Sequence, residues 1–161
     1  MLKSGRELQA DVIVTATGFD ISVLGDIAFT VDGRPLDLHD TVTYRGMMFT
    51  GVPNLLWVFG YFRASWTLRA DLLADFVCRL LNHMKEKRAE RVEVRLRRED
   101  RDMSLLSWID PNNFNPGYLM RAMHLLPKRG DKPEWQHTQD YWAEKVAIPA
   151  IDLDAEEFVY R

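Results

Sequence analysis

Apolar residues along this chain change their spacing several times, and each change marks an element. Asp11 to Asp20 reads DVIVTATGFD, and its unbroken β-branched run Val12, Ile13 and Val14 predicts a strand buried on both faces, as in a parallel sheet, ending at a Thr17-Gly18 turn. Ile27 to Leu38 alternates around Asp32-Gly33, which predicts a short hairpin with Pro35 tolerable only at an edge. Tyr44 to Phe49 supplies another short extended piece, and Leu55 to Phe59 a second buried strand that stops at Gly60. From Ser65 the period becomes 3.6: Leu68, Leu72, Phe76, Leu80 and Met84 form one row with Leu73, Val77 and Leu81 beside it, the most secure helix in the chain. Ser65 or Thr67 suits its N-cap, and Asn82, His83 and Lys85 suit its C-terminal end.

The second half is less periodic. Lys85 to Asp102 is heavily charged but carries Val92, Val94 and Leu96 at period two, which predicts a linker into a short exposed strand. Pro111 to Pro116 reads as a loop, with Pro116 at the first turn of a helix running to about Leu126. Trp135 to Lys145 reads as a further short helix, and the tail after Pro149 as irregular or weakly extended.

Strand, glycine loop and long helix in the order of Gly51 to Met84 make half of a dinucleotide-binding site. The other half is missing, because no three of the nine glycines form G-x-G-x-x-G. The chain therefore reads as the C-terminal portion of a larger nucleotide-binding enzyme. A strand ending at Gly60 before a helix that starts near Ser65 presents free backbone N–H groups and a positive dipole end, where an anion is expected. Gly18 has a similar logic, since a residue without Cβ lets the backbone approach a ligand, and Thr17 adds a hydroxyl and an N–H.

Composition narrows the classes. With 161 residues and 47% hydrophobic content the chain is long enough for one domain and a sizeable core. Its net charge of -3, with 21 basic residues interleaved among 24 acidic ones, gives no basic field for nucleic acid. The single cysteine, Cys78, excludes an internal disulfide and suits a reducing cytosol; on the helix it is expected to be a buried, inert thiol. No apolar run approaches the ~20 residues of a membrane span, so the expectation is a soluble, cytoplasmic protein. His39, His83, His124 and His137 lack metal-ligand spacing, and no metal site is expected. Asp71 and Asp75, with Arg69 and Arg79 nearby, read as a solvated charged face. Ser65 lacks a G-x-S-x-G elbow and an assigned base, so it is not an acyl-transfer serine. The five tryptophans are read as core and interface packing.

Taken together, Asp11 to Phe19 and the set Pro53-Asn54-Leu55, Gly60-Tyr61 and Ala64 to Leu72 resemble flavin-containing monooxygenases, and more closely Baeyer-Villiger monooxygenases of the ethionamide-activating type. Cys78-Arg79-Leu80-Leu81-Asn82 continues the match, and Phe114 to Tyr118 and Leu126-Pro127-Lys128 extend it weakly. The resemblance implies an FAD- and NADPH-dependent enzyme that inserts one oxygen atom into a ketone or adds it to a soft heteroatom. It implies that Thr17, Gly18 and Phe19 lie near the FAD. It also implies that Gly60, Tyr61, Ser65, Trp66 and Thr67 face the flavin ring, with Tyr61 and Trp66 walling the flavin or substrate pocket. In a flavoprotein the anion at the helix mouth would be the reduced isoalloxazine. The implied fold is α/β: residues 1–84 form the C-terminal part of a Rossmann-like FAD-binding domain, with buried strands and one long amphipathic helix, and residues 85–161 an α+β extension packed on it.

Departures from the family are equally definite. Both G-x-G-x-x-G fingerprints and the F-x-G-x-x-x-H signature are absent; Phe49-Thr50-Gly51 imitates the start of the latter, but Leu55 stands where His is needed. The family's active-site arginine falls on neither Arg6 nor Arg63, so no residue here is assigned a catalytic role. A competing expectation is a non-enzymatic self-associating or partner-binding module derived from such an enzyme, in which Val12 to Thr15 and Leu55 to Phe59 find missing neighbours in another copy of the chain, giving a homo-oligomer. In the first reading the partner is upstream FAD/NADP-binding sequence. A third is a flavin or nucleotide carrier binding across a dimer interface.

Overall fold

A computed structural model describes all residues from 1 to 161. The chain folds as a mixture of short antiparallel β pairs and three α-helices, of which the first is long and the other two are short. Hairpin β1 (Thr30–Val31) and β2 (Arg34–Pro35) turns through Asp32 at φ 51° and Gly33 at φ 76°, the paired positive φ of a type I′ turn. Pro35 lies on this exposed two-stranded ribbon, where no further strand needs its missing N–H. A second hairpin, β3 (Thr43–Tyr44) with β4 (Met48–Phe49), is buried throughout.

Helix α1 spans Trp66–Lys87 and is capped by Ser65, whose hydroxyl accepts the Thr67 N–H. Arg88, in the left-handed region, ends it one turn beyond the periodic row. Its buried face is Arg69, Leu73, Phe76, Leu80 and Met84, with Leu72 and Val77 at the margin. That stripe packs on β3 and β4, on β5 (Val92–Val94), on β8 (Phe158–Tyr160), and on Ile148, Ile151 and Leu153. A second cluster gathers Phe49, Val52, Trp57, Phe59, Trp108, Ile109, Leu119 and Leu126. It is closed by β6 (Leu106–Ser107), which pairs with β7 (Lys128–Arg129), and by α2 (Gly117–Arg121). Helix α3 (Tyr141–Ala147), capped by Asp140, lies against α1. No helix is long and apolar enough to cross a membrane.

Several expectations change. Asp11 to Asp20 forms no strand, and Val12, Ile13 and Val14 are 77%, 82% and 84% exposed. A run suited to burial on both faces needs hydrogen-bonded neighbours on each side, and no segment of these residues pairs with it. All four ribbons are two-stranded and antiparallel, so no parallel sheet forms within the chain. Leu55 to Phe59 makes only one bridge, Met48 to Leu56; Trp57 and Phe59 are nevertheless buried, while Val58 faces out.

The strand expected to be exposed, β5, is buried at all three positions because the tail, expected to be irregular, returns as β8 and covers it. Glu93 tolerates that burial by lying between Arg91 and Arg95. The helix expected to reach Leu126 stops at Arg121 and resumes as a 3₁₀ turn, and the Trp135 to Lys145 helix splits into a 3₁₀ turn at Pro133–Trp135 and α3. Cys78 is exposed on the outer face of α1, not buried. Three tryptophans, 57, 108 and 135, are core residues as expected, whereas Trp66 and Trp142 are 53% and 73% exposed.

Candidate functional site

The chain leaves the second core at Phe59, turns through Gly60, Tyr61 and Phe62, and enters α1 at Ser65. Gly60 is required by close packing: a Cβ there would lie 2.1 Å from Cγ of Trp66, whose indole also sits 5.3 Å from the Phe59 ring. Beyond it Ser65, Trp66 and Thr67 are exposed, with the Ser65 and Thr67 hydroxyls 2.7 Å apart. Thr67 donates its N–H to Ser65 Oγ, while helix geometry leaves the Trp66 and Leu68 amides without intrahelical partners. The first turn of α1 contains no acidic side chain, so its dipole end is uncompensated.

Beneath this mouth lies a buried polar network. Arg69, fully buried, donates Nε to Glu144 Oε2 at 2.8 Å, Nη1 to the Phe59 carbonyl at 2.6 Å and Nη2 to the Arg45 carbonyl at 2.7 Å. The Tyr61 hydroxyl donates to the same Glu144 oxygen at 2.7 Å. Burial, and then the hydrogen bond to Glu144, push the Tyr61 phenol well above its ordinary range, so it stays a neutral donor. Arg69 therefore does not belong to the solvated face assigned to it with Asp71, Asp75 and Arg79. It occupies the apolar row of α1, four residues before Leu73, a spacing that was the available signal for its burial. The hairpin must come close to make this contact. Gly46, at φ 64°, has no room for a Cβ, which would meet His137 Cβ at 2.8 Å and Trp108 Cη2 at 2.9 Å.

A second set of groups reaches the turn from residues 137–139. Gln139 accepts the Phe62 N–H at 2.8 Å and donates to the Gly60 carbonyl at 3.2 Å; its amide nitrogen also lies 3.3 Å from His137 Nδ1. His137 Nε2 lies 2.8 Å from the Trp108 carbonyl, so the consistent tautomer carries its proton on Nε2 and accepts on Nδ1. The ring packs on Trp108 at 4.2 Å. Burial lowers the His137 pKa to about 4.

Between pH 6.5 and 4 the unfolded chain takes up a proton that folded His137 refuses, so stability is full above this window and falls as pH drops through it. The loss is roughly 2–3 kcal/mol. Unfolding free energies from urea titrations at pH 7 and pH 4.5 should differ less in His137→Gln than in the unsubstituted protein by that amount.

Thr17, Gly18 and Phe19 lie elsewhere on the surface. Phe19 is 76% exposed, meets the Tyr118 ring edge-on at 6.1 Å and accepts from Arg121 through its carbonyl at 3.0 Å. Gly18 has φ 95° and open space around it. Phe62 stacks on Phe114 at 4.3 Å and Arg63 bonds Asn113, so both segments rest on residues 113–121 without touching each other by hydrogen bond or ring. Of the expected cofactor residues, the structure thus brings together Gly60, Tyr61, Ser65, Trp66 and Thr67, with Tyr61 turned inward. Arg69, His137, Gln139 and Glu144 were not among the expected site residues; apart from Arg69's spacing, no local pattern marks them.

An exposed, uncompensated helix N-terminus preceded by a close glycine turn fits the anionic edge of a flavin, although the Gly60 face itself is occupied by Trp66. Turn and helix by themselves define an anion-favouring helix mouth, and the likeness to flavin-dependent oxygenases comes from sequence comparison. The chain is 43% identical over 155 residues to the FAD-containing monooxygenase EthA of Mycolicibacterium smegmatis, covering 96% of this chain and 30% of that protein. It is 43% identical to EthA of Mycobacterium tuberculosis over the same share of this chain. It is 40% identical over 153 residues to the Acinetobacter baylyi protein named as a probable FAD-binding monooxygenase, AlmA. The chain is a homologue of FAD-containing monooxygenases and spans about 30% of the length of these curated relatives. No protein-family model and no solved structure matches it.

Proposed function

We propose that this chain forms the flavin-ring side of the site in an FAD- and NADPH-dependent monooxygenase of Baeyer-Villiger or heteroatom-oxygenating type. The observation that carries the proposal is the coincidence of the α1 mouth with a sequence match to FAD-containing monooxygenases over nearly the whole chain. Bound FAD would supply the redox chemistry that activates oxygen. The chain's own part is to hold and orient. The Trp66 and Leu68 amides and the Thr67 hydroxyl would meet the anionic edge of the ring, and Trp66 would wall the pocket. Thr17, Gly18 and Phe19 would lie along the same cofactor. In this reading residues 1–84 belong to the FAD-binding domain and residues 85–161 to an extension that supports it.

A second reading is favoured by the exposed Val12, Ile13 and Val14: a self-associating module whose apolar segment pairs with another copy. One experiment judges both. Titration of FAD into the chain, followed by quenching of flavin fluorescence, should saturate, and Thr67→Glu should weaken binding about fivefold by replacing a hydroxyl donor with a carboxylate that repels the electron-rich carbonyl edge of the oxidised ring. An absence of quenching would defeat the cofactor reading. Light scattering on the same samples that shows only monomer would defeat self-association.

A further inference from the structure

We propose that Gln139 is a positioning residue for the α1 mouth, holding the Gly60 to Phe62 turn from the far end of the chain as a neighbouring β-strand would. Its side-chain amide bonds the carbonyl of Gly60 and the N–H of Phe62, the two groups that flank Tyr61. A residue on a parallel strand opposite Tyr61 would bond the same pair. One glutamine side chain thus replaces a ladder partner at a place where the 55–59 segment forms no strand of its own.

Three further observations show that the amide is built to this task. Gln139 itself sits at φ 55°, an unfavourable conformation for a residue with a side chain, which the surroundings must maintain. Its amide nitrogen is shared with His137 Nδ1, whose other nitrogen is anchored on the Trp108 carbonyl in the core, so the amide cannot flip without losing partners on both sides. Tyr61, the residue so bracketed, is held by its hydroxyl on Glu144, five residues after Gln139. Backbone and side chain of the turn are therefore both gripped by residues 137–144. A shift of that segment would move Gly60 and, because the Trp66 indole packs so closely on it that no Cβ would fit between them, the indole as well.

The link to the cofactor rests on the function proposed above; the clamp does not. Gln139→Met keeps the side-chain length and removes both hydrogen bonds. In the full chain, amide hydrogen exchange at Phe62 should rise about tenfold in this variant, while amides in the middle of α1, from Leu73 to Leu80, keep their protection. With FAD present, the variant should bind several-fold more weakly and alter the absorption band of the bound flavin. Unchanged exchange at Phe62, or a rise spread evenly over the core amides, would overturn the clamp. Equal FAD affinity and an identical bound-flavin spectrum in both proteins would overturn its role toward the cofactor. If the unsubstituted chain binds no FAD, the proposed function fails, and the exchange measurement still decides the clamp.

Discussion

Arg69→Ala will cost about 3–5 kcal/mol of stability, a large share of the roughly 5–15 kcal/mol that holds an ordinary domain folded. The side chain is wholly inside, and its removal strands Glu144, which is 5% exposed, as a buried carboxylate whose remaining partner is a phenol. The carbonyls of Phe59 and Arg45 lose a charged donor as well. Gly46 keeps the Trp57 indole N–H at 2.9 Å and is less affected. Glu144→Ala should cost a similar amount, because it leaves the guanidinium without its counter-ion. The pair Arg69→Met with Glu144→Leu should recover much of the loss, since no isolated charge remains, yet fall short of the parent because the Phe59 and Arg45 carbonyls stay unpaired. Urea unfolding of the three variants checks the order. A double variant no better than either single one would show that the network acts through the carbonyls and not through charge pairing.

Asp100→Ala should cost about 3 kcal/mol at neutral pH. Asp100 is completely buried and accepts from Arg97 at 2.7 and 3.1 Å, from Lys132 at 2.7 Å and from the Trp135 indole at 3.0 Å. It ties the turn after β5 to the turn that seats Trp135 in the main core. Without it the Trp135 N–H, itself fully buried, has no acceptor; Arg97 still has Glu99, Glu134 and Glu157 within 4 Å. The Arg97 guanidinium, followed by Lys132 and Trp135, holds the Asp100 carboxyl below its ordinary range. Its contribution is accordingly complete above the ordinary aspartate pKa of about 3.9 and declines as pH falls below that value toward the folded one. Thermal unfolding of Asp100→Asn and the parent between pH 7 and pH 2.5 tests this: the gap between them should narrow in acid. A gap independent of pH would show that the carboxylate's charge adds nothing.

Both predictions concern ties between residues far apart in sequence, and there the structure departs most from what sequence patterns announce. Ser65 with its apolar row gives the start of α1, and Asp32-Gly33 gives the first hairpin, because capping, helical period and turn chemistry act over a few residues. The burial of β5 is different. Val92 and Val94 alternate with charged residues and read as an exposed strand until the tail, more than sixty residues later, lies against them. Val12, Ile13 and Val14 fail in the opposite sense: their composition suits a buried sheet, but composition supplies no partner, and here none pairs with them.

The candidate site divides along the same line. Its peptide framework, from Gly60 through Thr67, and the likeness to FAD-containing monooxygenases were readable in order along the chain. That likeness rests on contiguous residues, so local sequence suffices to carry it. The inward turn of Tyr61, the buried Arg69 with Glu144, and the grip of Gln139 on Gly60 and Phe62 were decided only by tertiary packing. Each depends on a polar group meeting a partner some 75 to 83 residues away, and the free energy of burying a charge or an amide is set by whether that partner arrives.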